Sequence, residues 1–141
     1  MAKGTFSKLF SPDDANALIP RLELIVRDLQ GAAAGLRGQV AKLAENDQSV
    51  LGAELPELLE RFPELKGYAA RMSEAAGKIE SLGGFLKDID QGLVDFPSDV
   101  GGEVVFLCWQ SGEPQVIAWH PIDSGFAYRK PLPGVSKPLM N

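Results

Sequence analysis

Apolar residues recur early in the chain in alternating steps of three and four: Ala15, Leu18, Leu22, Ile25, Leu29, Ala32 and Leu36. The stripe then drifts by one residue to Val40 and Leu43. This is the period of an α-helix with one face against a core. Ser11-Pro12-Asp13-Asp14 marks its start: a hydroxyl at the N-cap, proline at the first helical position, and two aspartates at the positive end of the dipole. Pro20 removes one backbone hydrogen bond inside the run, which predicts a kink rather than a stop. Gly31, Gly35 and Gly38 each weaken the helix by about 1 kcal/mol relative to alanine. With Ala34 they leave a narrow strip that another backbone could approach closely. The polar run 45–49 ends the helix.

A second stripe of the same period runs through Leu55, Leu58, Phe62, Leu65, Ala69, Met72, Ala76, Ile79, Leu82, Leu86 and Ile89. Pro56 and Pro63 disturb its first turns, so the firm helix is expected from near Phe62, and Gly83-Gly84 weakens its far end. Two helices of about thirty residues would each be about 45 Å long. A short loop between them predicts an antiparallel helical hairpin over residues 11–91 with a coiled-coil-like seam. Ile19, Val26, Leu59 and Phe85 widen the stripes beyond what one partner helix covers. Either a β-rich part packs along one side, or two hairpins pair as a homodimer.

The pattern changes near Gly92. Residues 103–109 (Glu-Val-Val-Phe-Leu-Cys-Trp) are apolar on both faces, as a strand covered on both sides would be, and residues 115–120 read as the returning strand, ended by Pro121. With residues 110–114 as the loop, Trp109 pairs with Gln115, Cys108 faces Val116 and His120 faces Val104. Cys108 and His120 then share a face but stand about 13 Å apart at 3.3 Å per residue. That separation disfavours a Cys/His nucleophile pair and leaves Cys108 as a small buried apolar residue. The expected fold class is α+β: a long two-helix hairpin followed by a small antiparallel β-hairpin or meander over 92–141, in one domain of residues 1–141.

Composition sharpens the division. Six of the eleven aromatic residues, both tryptophans among them, lie in the last fifty residues, which hold only three of the fourteen basic residues. The net charge of −5 and the lack of a basic, aromatic-interleaved stripe argue against nucleic acid. No apolar run has the length of a membrane span, and the opening residues lack a signal-peptide core. A single cysteine forms no internal disulfide and no thiolate cage, so a cytoplasmic location is expected.

Candidate chemistry is confined to the tail. His120 is the sole histidine. It is read either as a hydrogen-bonded histidine at a strand end or as one member of a polar cluster with Asp95, Asp123 and Arg129. His120 and Asp123 are the candidate metal ligands, on a weak signal, because no paired-histidine or paired-cysteine motif accompanies them. Glu113 is expected to be solvated in its turn. No phosphate-binding loop, dinucleotide fingerprint, nucleophile elbow or EF-hand spacing occurs, and no cofactor is expected.

The segment 10–20 (Phe-Ser-Pro-Asp-Asp-Ala-Asn-Ala-Leu-Ile-Pro) resembles the start of a bacterial family of uncharacterised proteins, domain-of-unknown-function family 2203. Gly92-Leu-Val-Asp-Phe-Pro97, Leu107-Cys-Trp109, Gly112-Glu113, Trp119-His120, Gly125-Phe126 and Arg129 follow in that family's order. The resemblance implies a small α+β protein with a helical hairpin and no assigned activity. It also implies that Asp95, Trp109, His120, Gly125 and Arg129 stand at the family's marked positions. Two functional expectations follow. The first is a non-catalytic module that self-associates through its helices, with a further protein partner possible. The second is a small enzyme or ligand-binding protein with its site at the β tail.

Overall fold

The computed structural model describes residues 6–133. Helix α1 spans Pro12–Asn46 and runs through Pro20 without interruption. Its start is a reciprocal cap: the Ser11 hydroxyl accepts from the Asp14 amide, and the Asp14 carboxylate accepts from the Ser11 amide, both at 3.0 Å. A short 3-10 turn, Gln48–Gly52, leads to α2 (Leu55–Arg61), and a second one, Pro63–Leu65, leads to α3 (Lys66–Ser81).

The second stripe is therefore not one long helix. Phe62, which precedes Pro63, leaves the helical region (φ −130°, ψ 79°), as steric conflict with the proline ring requires, and this breaks the chain between α2 and α3. At the far end Gly83 adopts φ +95°. A Cβ on the following Gly84 would lie 2.9 Å from Val94 and 3.1 Å from Phe96. The helix ends there, and residues expected in its last turns become strand β1 (Phe85–Asp88). The β-rich part thus begins seven residues before the expected change at Gly92. The spacing of Leu82, Leu86 and Ile89 fits a helix by coincidence, since Leu86 pairs with Val94 across two strands.

Helix α3 runs antiparallel to α1, with Arg71 bonded to Asp28 at 2.9 Å and Tyr68 set against Gly35. The glycine strip is used at one point, by a side chain rather than a backbone. The Tyr68 ring occupies the space a Cβ at Gly35 would need, whereas Gly31 and Gly38 face open space.

β1, β2 (Leu93–Val100), β3 (Glu103–Gln110), β4 (Ala118–Pro121) and β5 (Lys130–Pro131) form a five-stranded antiparallel meander in sequence order. One face carries Val94, Phe96, Leu107 and Trp109, which pack with Ile19, Leu22, Val26 and Leu29 of α1 and Ile79 of α3. The sheet thereby covers Ile19 and Val26, part of the apolar surplus that the helices alone left over. Beyond the sheet's reach, Leu36 packs instead with Val50, Leu58 and Leu65 in a second, smaller core. The other face of the sheet carries Asp95, Cys108 and His120 beside Phe106. No helix among the described residues is long and apolar enough to cross a membrane.

Candidate functional site

Residues paired across antiparallel strands share a face, so the register decides which side chains can meet. The observed pairs are Asp95↔Cys108, Cys108↔Ala118 and Phe106↔His120. Paired residues of β3 and β4 sum to 226, two more than the expected 224. This corrects the expectation that His120 faces Val104, Cys108 faces Val116 and Trp109 faces Gln115.

The connection between β3 and β4 explains the shift. It runs over 111–117 and is held by hydrogen bonds outside the ladder. The Trp109 indole N–H donates to the Glu113 carbonyl at 2.9 Å, and the Glu113 carboxylate accepts from the Gln110 amide at 2.8 Å. Glu23 of α1 accepts from the Ser111 hydroxyl and the Gly112 amide, both at 2.8 Å. Asn16, also on α1, accepts from the Val116 amide at 2.7 Å. With its amide bonded to the helix, Val116 does not pair with β3, and the ladder resumes at Ala118.

The consequence is a compact cluster. One ligating atom each of Asp95, Cys108 and His120 lies within 4.8 Å of the other two. The expected 13 Å separation of Cys108 and His120 is thus wrong. The three residues come from β2, β3 and β4 and are 2%, 1% and 1% exposed. His120 Nδ1 lies 2.9 Å from the Pro121 carbonyl oxygen, which can only accept, so Nδ1 carries a hydrogen. Nε2 then faces Asp95 Oδ2 at 2.8 Å, with one proton between them.

Burial pushes the Asp95 carboxyl above its ordinary value, against the opposing pull of His120 and Lys87. Burial, followed by the adjacent Asp95 charge, pushes the Cys108 thiol up to about 12. A thiol so held is not a nucleophile near neutral pH. Aromatic and cationic groups border the cluster. Lys87 Nζ stands 4.0 Å from Asp95 Oδ2 and 4.6 Å from the centre of the Phe106 ring, and Phe106 packs against His120 and Phe6. Among the described residues every buried side-chain nitrogen and oxygen has a hydrogen-bond partner.

The structure joins two of the four expected cluster members, Asp95 and His120. Asp123 is exposed, in a cleft shared with Gly102, Glu103 and Val104. It is not among the residues that gather around His120. Arg129 pairs with Glu113 at 3.0 Å and reaches the Cys108 carbonyl at 3.5 Å, so its guanidinium braces the β3–β4 connection. Glu113 is correspondingly half-buried rather than solvated. Sequence reasoning missed Cys108 and Lys87 as neighbours of the pair. The available signal was that Asp95, Cys108 and His120 each stand between two apolar neighbours within their strands.

Comparison with curated proteins and with solved structures returns no match. A family match does extend over residues 8–132, from just before the α1 cap to Leu132 after the last strand. It takes in every helix and strand among the described residues and the Asp95–Cys108–His120 cluster, and on that span the chain belongs to the family described as Uncharacterized conserved protein (DUF2203).

Proposed function

We propose that the protein is a non-catalytic cytoplasmic module whose α1–α3 pair, a coiled-coil-like hairpin, binds a second copy of itself. The observation that carries this reading is Leu24, which lies in the first half of α1 and is 64% exposed although the sheet covers the neighbouring Ile19 and Val26. Leu24 lines a groove of about 660 Å3 between the helices, together with Ile25, Leu82, Arg21, Glu74 and Lys78. A two-fold interface brings the same patch from both partners, so it must complement itself. This groove carries both signs of charge beside its apolar residues, which lets Arg21 and Lys78 of one copy meet Glu74 of the other. The burial of Asp95, Cys108 and His120 supports the non-catalytic part of the reading, because a substrate has no direct contact with the three groups.

Light scattering on gel-filtered protein tests it. The wild type is expected at twice the chain mass at tens of micromolar, and Leu24→Glu at one chain mass. As an exposed substitution, Leu24→Glu should change stability measured on the monomer by no more than about 0.5 kcal/mol. A monomeric wild type, or a variant that stays dimeric, overturns the reading.

A further inference from the structure

We propose that Asp95, Cys108 and His120 form a binding site for one thiophilic divalent transition ion, with zinc the best match. The donors are a carboxylate oxygen, a thiolate sulfur and an imidazole nitrogen. Zinc accepts all three in tetrahedral sites, whereas magnesium and calcium demand oxygen donors alone.

The geometry is close to what an ion requires. Tetrahedral bonds of about 2.0 Å to nitrogen and oxygen and about 2.3 Å to sulfur put ligand atoms about 3.2–3.6 Å apart. The three atoms here lie within 4.8 Å of one another, and the Asp95–His120 edge is 2.8 Å. Small side-chain rotations close the first spacing and open the second. The orientation of His120 is already that of a ligand. Its Nδ1 hydrogen is committed to the Pro121 carbonyl, which fixes the ring and directs Nε2 at the cluster, as the outer-shell partner of a metal-bound histidine does.

Charge is also balanced. A dication held by one carboxylate and one thiolate is neutral, so the buried site gains no net charge when the thiol proton and the proton shared by Asp95 and His120 leave. Lys87 is the cation beside the site, and its side chain is 43% exposed. It can swing into solvent as the ion enters. Three strands contribute one ligand each, so the ion would lock the register of β2, β3 and β4 together.

The test uses the full chain, stripped with a chelator and titrated with Co2+, whose thiolate complexes absorb strongly in the near ultraviolet. One equivalent is expected to produce thiolate-to-cobalt absorption, which excess Zn2+ displaces. Cys108→Ser and His120→Ala should lose it, and Asp123→Asn should keep it. Zinc at about a hundred times its dissociation constant should raise the melting temperature by at least about 3 °C. The wild-type spectrum stands whether or not the variants fold. Co2+ that gives no thiolate band with folded wild type, or a melting temperature that zinc leaves unmoved, overturns the proposal.

Discussion

The Asp14 carboxylate shows how one residue couples the start of a helix to pH. Its bond from the Ser11 amide, and secondly its link to the Ser11 hydroxyl, hold its carboxyl below the ordinary value of 3.8. A depressed folded value means that the ionised form stabilises the native state. That stability is complete above about pH 4 and is lost as pH falls through the lowered folded value. Acid titration of thermal stability should therefore show a shallower loss below pH 4 in Asp14→Ala than in wild type. Asp47 acts with the same sign through the Ser49 hydroxyl, the Ser49 amide and Arg61, so the slope should lessen rather than vanish. At Gly84 the constraint is space. A Cβ would lie 2.9 Å from Val94, 3.1 Å from Phe96 and 3.3 Å from Ile79, all core side chains. Gly84→Ala should cost about 1–3 kcal/mol in chemical denaturation. A neutral result would mean that β1 can lift from the core at little cost.

At the scale of elements, the β3–β4 connection matters most, because its shape brings Cys108 beside Asp95 and His120. Strand pattern alone leaves a hairpin free to slip by two residues, since such a slip keeps every side chain on its face. Here the connection is tied to α1, whose Asn16 and Glu23 accept from its backbone amides. Asn16→Ala would leave the Val116 amide without its acceptor beside a fully buried side chain. The expected loss is about 1–3 kcal/mol in chemical denaturation, with faster hydrogen exchange at the Val116 amide. Unchanged exchange there would show that the register is held by the turn itself. In the helices, local chemistry was informative where it acts locally. The Ser11 cap and the break at Pro63 follow from steric and hydrogen-bonding rules within a few residues. The stop before β1 involves Val94 and Phe96, which are distant in sequence, and a helical spacing of leucines concealed it.

For the molecule as a whole, the two faces of the sheet carry different burdens. The face towards α1 and α3 is apolar and supplies the main core. The opposite face holds a carboxyl, a thiol and an imidazole under Phe106, Phe6 and Lys87. The proposed self-association involves the far side of the helices, so it and the proposed ion site are separated by the core and can fail independently. The partial covering of the apolar surplus by the sheet also narrows the dimer argument from whole stripes to the groove around Leu24.

Much of this was legible along the chain. The α+β class, the extent and cap of α1, strand β3 and the presence of Asp95 and His120 in the sheet all depend on periodicity and capping, which act over a few residues. Membership of one face was also legible for Cys108 and His120, because alternation along a strand is local. Their proximity was not. It depends on which residues of β3 and β4 stand opposite each other, and the connection that joins them is bonded to Asn16 and Glu23, some 88 to 100 residues earlier in the chain. The same reasoning accounts for Asp123 and Arg129. Both lie near His120 in sequence, yet one turns to solvent and the other pairs with Glu113, since a turn after a strand end points its side chains wherever packing allows. Local patterning determined the elements and their faces; tertiary contacts decided the register, and with it the meeting of Asp95, Cys108 and His120.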